Sequence, residues 1–271
     1  MRLALALLLL ARLTVSATGD APDGIEVPYR DGVDHPRCRV RLALPENAAG
    51  FPTVVWFHGG GLTGGGRHVP PGLVDRGVGV VAAGYRLSPE VTVRQCIEDA
   101  AAAVDWTLRN IERYGGDPGR VVVSGHSAGG YLTLMLALDP RYLAAHDRTA
   151  DDLAAFVPLS GHTITHFTRR SERGLGRHDV RVDELAPLFH LRPRTPPIRL
   201  VTGDRDLELL GRYEENAYFA RMMKVVGNDA VELFELQGFD HGGMVAPAIP
   251  LVAQSALTTR PSPVRTPIPA R

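Results

Sequence analysis

Val121-Val122-Val123-Ser124-Gly125-His126-Ser127-Ala128-Gly129-Gly130 runs from a β-branched stretch through a Gly-x-Ser-x-Gly turn into the helix-like Tyr131 to Leu138. β-Branched residues favour a strand, and a serine held between strand and helix on so tight a turn needs small neighbours two positions to either side. Gly125 and Gly129 are those neighbours. The turn lifts the Ser127 hydroxyl clear of the sheet and sets it at a helix N-terminus, where free amides favour developing negative charge. Ser127 is therefore the candidate nucleophile. A chain with 29 glycines can spell this motif by composition alone, but the strand before it and the helix after it weigh against accident.

Around this turn the chain alternates short apolar runs with longer amphipathic ones, the pattern of an α/β fold with a mostly parallel sheet and helices on both faces. The expected strands are Cys38 to Leu44, Thr53 to Phe57, Gly79 to Ala83, Arg120 to Ser124, Ala155 to Leu159, Ile198 to Thr202 and Val231 to Leu236. Several lack polar alternation, as strands buried on both faces do. Helical periodicity marks Val93 to Tyr114, closed by Gly115-Gly116, and Tyr213 to Val226, closed by Gly227 and Asn228. Gly161 to Arg194 breaks the rhythm, is rich in Arg and His, and reads as a lid insertion of residues 161–194 within one domain of residues 23–257.

Thirty basic residues balance thirty acidic ones, so no global field points to nucleic acid or an anionic surface as partner. A small-molecule ligand fits better. Met1-Arg2 followed by Leu3 to Leu10, with Val15-Ser16-Ala17 beyond, has the form of a secretory signal over residues 1–17. The run is too short for a stable membrane span, and the expected location is secreted or periplasmic. In such a compartment Cys38 and Cys96 could pair as one disulfide or stay as two buried thiols, and their spacing decides neither. From residue 258 to 271 Pro alternates with Arg and polar residues, the composition of a disordered tail.

A serine hydroxyl needs a general base, usually a histidine oriented by a carboxylate. Among folds that use this elbow the chain order is Ser, then Asp or Glu, then His, each just past a strand. Of ten histidines only His241, in Gly238-Phe239-Asp240-His241-Gly242-Gly243, follows the last expected strand. After the preceding strand, Gly203-Asp204-Arg205-Asp206 offers the acid. Asp206 is favoured because Asp204 is placed to close the turn itself; Asp204 ranks second and Glu208 third. His58-Gly59-Gly60-Gly61 follows another strand and supplies candidate oxyanion amides at Gly60 and Gly61, joined by Ala128 after the nucleophile.

Two other patterns are set aside. Gly59-x-Gly61-x-x-Gly64 imitates a dinucleotide loop, but Arg67-His68-Val69-Pro70-Pro71 stands where a phosphate-binding helix would start. His162 and His166 share helical spacing without a third ligand in a zinc-type motif.

Taken together, His58 to Gly61, Tyr85-Arg86-Leu87-Ser88-Pro89-Glu90, Gly115-Gly116-Asp117-Pro118, Gly125 to Gly130, Gly203 to Asp206 and Asp240-His241-Gly242 resemble the α/β-hydrolase fold. More narrowly they resemble exported bacterial esterases related to hormone-sensitive lipases and to feruloyl or acetyl-xylan esterase-like proteins, over roughly Asp23 to Pro250. That resemblance implies a serine carboxylesterase without a cofactor, acting on small or carbohydrate-linked esters. It carries over Ser127 as nucleophile, His241 as base, Asp206 as acid, and Gly60, Gly61 and Ala128 as oxyanion donors. His126 departs from the Gly-Asp-Ser of the hormone-sensitive lipase branch and turns the resemblance toward the esterase-like one. The C-terminus departs as well, offering only Pro247 to Leu257 for a last helix. A peptidase or arylformamidase-like amide hydrolase, and a non-catalytic binding protein on the same scaffold, are the alternatives.

Overall fold

The computed structural model describes residues 24–46, 48–209, 211–259 and 261; the expected signal segment and the tail beyond residue 261 lie outside them. Along the chain run β1 (Ile25–Pro28), β2 (Arg39–Ala43), β3 (Phe51–Phe57), β4 (Gly79–Ala83), α1 (Val93–Asn110), β5 (Gly116–His126), α2 (Ala128–Leu138) and α3 (Pro140–Ala144). There follow β6 (Ala155–Leu159), α4 (Phe167–Glu172), β7 (Ile198–Gly203), α5 (Arg212–Val225), β8 (Val231–Leu236) and α6 (Val245–Thr258). Among the described residues the strands form one eight-stranded sheet in the order β1-β2-β4-β3-β5-β6-β7-β8. β1 and β2 pair antiparallel to their neighbours, and every other pairing is parallel. All seven expected strands are present; β1, too short to stand out by periodicity, is the addition.

Strands buried on both faces divide the core in two. Along β3, Val55 and Phe57 join Ile97, Leu132 and Phe219 on the side of α1, α2 and α5. Val54 and Trp56 join Val122, Val157, Ala248 and Val252 on the side of α6. Each of these side chains of valine size or larger contributes about 1.5–3 kcal/mol by leaving water. Local signals set the ends of α1: Thr92 Oγ1 accepts from the Gln95 amide at 3.3 Å while Gln95 Oε1 accepts from the Thr92 amide at 2.9 Å.

The last helix is not curtailed. α6 spans 14 residues, and it buries Ala248, Ile249, Val252, Ala253 and Ala256. Pro247 sits in the first turn, where a helix has no acceptor for its amide, so it costs little there. Pro250 forgoes one internal bond, which the buried stripe offsets.

Cys38 and Cys96 are free and buried, with Cys96 Sγ donating to the Arg86 carbonyl at 3.2 Å. Nearby, the buried carboxylate of Asp99 takes two bonds from the Arg86 guanidinium, at 2.8 and 2.7 Å, and a third from Arg30.

The chain passes from β3 to β4 on one side and then crosses to β5 on the other, so the C-terminal ends of β3 and β5 lie side by side at a switch point. Phe57 is level with Gly125, His126 with Leu159, and Leu159 with Val201. The turns after these strands therefore leave the sheet together. At this edge a Cβ on Gly125 would stand 2.5 Å from the Phe57 carbonyl oxygen, and one on Gly129 only 2.0 Å from it. Gly129→Ala must push β3 and α2 apart, and we expect a loss of about 3 kcal/mol in denaturant-unfolding stability. A loss below about 0.5 kcal/mol, within the range of an ordinary surface change, would contradict this packing.

Candidate active site

Ser127 stands between β5 and α2 with φ 57° and ψ −114°, a left-handed backbone rare for a residue with a side chain. Holding it costs roughly 1–3 kcal/mol, which neighbours must supply. The Ser127 amide donates to the Leu159 carbonyl at 2.8 Å, and the Ser127 carbonyl accepts from Tyr131 at 2.9 Å. So fixed, the hydroxyl faces His241: Oγ and Nε2 are 2.9 Å apart. His241 enters on the turn after β8, where its own carbonyl accepts from His126 Nε2 at 2.7 Å. Burial, with the neighbouring His241, lowers His126 to about 4, so it is neutral at pH 7 and its ring anchors the His241 main chain.

The carboxylate on the far side of His241 belongs to Glu208, whose Oε2 lies 2.8 Å from Nδ1. This corrects the expectation for Asp206, which is solvent-exposed and whose amide donates to Asp204 Oδ1 at 2.9 Å. Asp204 does close the turn, taking a second bond from the Gly238 amide at 2.7 Å. The remaining choice is decided by backbone shape. Leu207 and Glu208 amides both donate to the Asp204 carbonyl, at 3.0 and 2.8 Å, so the loop coils as a single helical turn. At about 100° per residue, Asp206 and Glu208 then point about 200° apart. Glu208 returns over the strand end, with its Cγ 3.1 Å from where a Cβ on Gly203 would be. An extended loop would have aimed both acids the same way.

Glu208 is buried, and burial alone would raise its pKa; bonds from His241, the Ser160 hydroxyl and the Gly203 amide outweigh it and bring the group to about 2. It is an anion throughout the neutral range, able to orient the imidazole and stabilise the imidazolium.

The turn after β3 closes on the same point. A Cβ on Gly59 would be 3.3 Å from the Ser127 Cβ. Gly60 and Gly61 take φ values of 111° and 65°, and a Cβ on Gly60 would strike the Gly64 carbonyl at 2.4 Å. Only glycine adopts this path without strain. Tyr85 braces the turn, donating its hydroxyl to the His58 carbonyl at 2.8 Å and stacking on the His58 ring. The amides of Gly60, Gly61 and Ala128 donate to no other group among the described residues. They are thus available to an anion formed beside Ser127.

His162 and His166 serve the segment after β6. His162 Nδ1 pairs with Glu215 at 2.9 Å, and His166 Nδ1 accepts from the Thr168 amide at 3.2 Å to cap α4.

Residues 54–245 match the alpha/beta hydrolase fold family. Carboxylesterase NlhH of Mycobacterium tuberculosis is 41% identical over 226 residues, which are 72% of this chain and 71% of that protein. Esterase LipC of the same organism is 24% identical over 231 residues, 74% of this chain and 55% of its own length. Isoprenylcysteine alpha-carbonyl methylesterase of Arabidopsis thaliana is 27% identical over 238 residues, 77% of this chain and 54% of its own. The chain thus spans about half the length of the latter two. Among solved structures, a thermophilic esterase of Thermogutta terrifontis superposes with TM-score 0.69 at 24% identity, covering 87% of this chain and 92% of that one. Its propionate-bound form does so with TM-score 0.69 at 25% identity, covering 87% and 94%.

The assignment of Glu208 is separable from that of Asp206 by labelling Ser127 with a fluorophosphonate. We expect Glu208→Gln to slow labelling by on the order of 10³-fold or more, and Asp206→Asn to leave it within about twofold. The reverse pattern would return the role to Asp206. The lowered pKa of Glu208 also has a stability consequence. A carboxylate whose folded value lies below its ordinary 4.5 stabilises the native state fully above that value and loses this contribution as pH falls toward about 2. Urea titrations from pH 6 to pH 2 should show this component in the parent and not in Glu208→Gln; identical pH slopes would contradict it.

Proposed function

Because this chain belongs to the alpha/beta hydrolase fold family, we propose that it is a carboxylic ester hydrolase that works through an acyl-enzyme on Ser127. The observation that carries the reading is the unbroken run from Ser127 Oγ through His241 to the Glu208 carboxylate, at 2.9 and 2.8 Å, beside three unengaged amides. Ser127 attacks the ester carbonyl carbon while His241 Nε2 takes its proton. The carbonyl oxygen becomes an oxyanion against the amides of Gly60, Gly61 and Ala128, each typically worth about 3 kcal/mol in the transition state. His241 then protonates the departing alcohol as the carbon–oxygen bond breaks. Water, deprotonated by the same nitrogen, attacks the acyl-enzyme, and the proton returns to Ser127 as the acid leaves.

The segment after β6 supports a small acyl group. The Phe167 ring would lie 3.0 Å from a Cβ on Gly61, and the Thr168 hydroxyl donates to the Gly61 carbonyl, so this lid rests on the oxyanion turn. An aromatic wall there shortens the space beside the reacting carbonyl. The propionate bound to the Thermogutta terrifontis esterase accords with such a size.

The test is turnover of p-nitrophenyl acetate, butyrate and octanoate by the purified chain. We expect the short esters to be preferred, Ser127→Ala to lose at least about 10³-fold in kcat, and Phe167→Ala to shift preference toward longer chains. Equal turnover by Ser127→Ala would remove the nucleophile from the account, and an unchanged chain-length profile in Phe167→Ala would remove the wall.

A further inference from the structure

Three polar side chains linked to His241, directly or through one another, have no part in the reaction just described: Ser160, Arg212 and Glu215. Ser160 directly follows β6, lies in the left-handed region with φ 46°, and is fully buried. Its amide donates to the Val201 carbonyl at 2.7 Å and its carbonyl accepts from Arg212 Nη1. So held, its hydroxyl oxygen lies 2.9 Å from His241 Nδ1, and the hydroxyl also bonds Glu208. Because Glu208 is ionised and can only accept, the serine proton goes to the carboxylate while its oxygen faces the imidazole N–H. Ser160, His241 and Glu208 thus form a closed triangle. A glutamate has one more torsion than an aspartate, so a carboxylate delivered on that longer arm gains most from a second anchor.

The anchor is itself held from behind. Arg212, 2% exposed, extends Nη1 to Ser160 and Nε to Glu215 Oε1 at 2.8 Å. Glu215 in turn accepts from the amides of Thr163 and Ile164, at 2.9 and 3.2 Å, and from His162 Nδ1. Asn216 Nδ2 donates to the Gly161 carbonyl at 2.9 Å. Ser160 and residues 161 to 164, where the lid begins, are therefore fastened to the start of α5 by Arg212, Glu215 and Asn216. Removing one member of a buried pair such as Arg212 and Glu215 strands the other charge, so the pair is costly to break.

We infer that Ser160 is a positioning residue for Glu208 and His241, and that the buried Arg212–Glu215 pair sets it in place while tying the start of the lid to the base. This rests on the ester-hydrolase reading for its kinetic arm only. Ser160 has no contact with Ser127 among the described bonds, so its loss acts through the carboxylate and the imidazole.

The test uses Ser160→Ala and Ser160→Gly in the full chain; glycine removes the hydroxyl yet accepts the left-handed backbone, so it serves where alanine fails to fold. With p-nitrophenyl acetate we expect kcat to fall about 10- to 100-fold while KM stays within about twofold, as misplacement of a base without loss of binding requires. Arg212→Lys, which cannot reach both partners in the guanidinium's geometry, should lower kcat similarly. Combined with Ser160→Gly, it should lose less than the product of the two. Independently of turnover, NMR of histidine-labelled protein should show a downfield His241 Nδ1–H resonance in the parent, shifted or broadened by exchange in both Ser160 variants. Kinetics within twofold of the parent in both variants, a resonance that does not move, or full multiplication of the Arg212 and Ser160 effects would each overturn the inference. A parent without ester turnover would instead contradict the functional reading, and the resonance would then decide the role of Ser160.

Discussion

The carbonyl of Phe57 comes so close to Gly125 and Gly129 that neither position has room for a Cβ. Much of the site follows from this approach. It brings the end of β3 against the strand-to-helix turn of β5 and α2, so the Gly59 to Gly61 turn and Ser127 occupy one spot at the sheet edge. Parallel pairing then delivers the turns after β6, β7 and β8 to the same edge in register. The two glycines flanking Ser127 are thus set by the neighbouring strand as much as by the bend of their own chain.

Electrostatics complete what packing begins. Glu208 is a buried anion, and burial without partners would be costly. Bonds from His241, Ser160 and the amides of Gly203 and Leu209 stabilise it, and the same bonds aim it. His126 remains neutral and spends its Nε2–H on the backbone of His241. The imidazole is fixed by its neighbours at Nδ1 and through its main chain, which leaves Nε2 for the serine.

Much of this was legible in the sequence because it is carried by local patterns. Val121 to Gly130 declared strand, turn and helix, and the glycines after Phe57 declared a turn open to an anion. His241 was marked by its place after the last strand. Which carboxylate meets His241 was not legible, since Asp204, Asp206 and Glu208 lie within five residues and only the coiling of that loop separates them. The final helix was hidden by Pro247 and Pro250, whose cost depends on helix position and on the apolar face being covered. Arg212 and Ser160 meet across 52 residues of chain, a relation that no local pattern encodes.

The central claim is that Ser127 is made nucleophilic by this surrounding arrangement. Intact-mass spectrometry followed by peptide mapping of the chain exposed to paraoxon tests it most directly. One phosphoryl adduct per chain is expected, on Ser127, and none when His241 is replaced by alanine. An adduct on another residue, or a chain that takes none while folded, would contradict it.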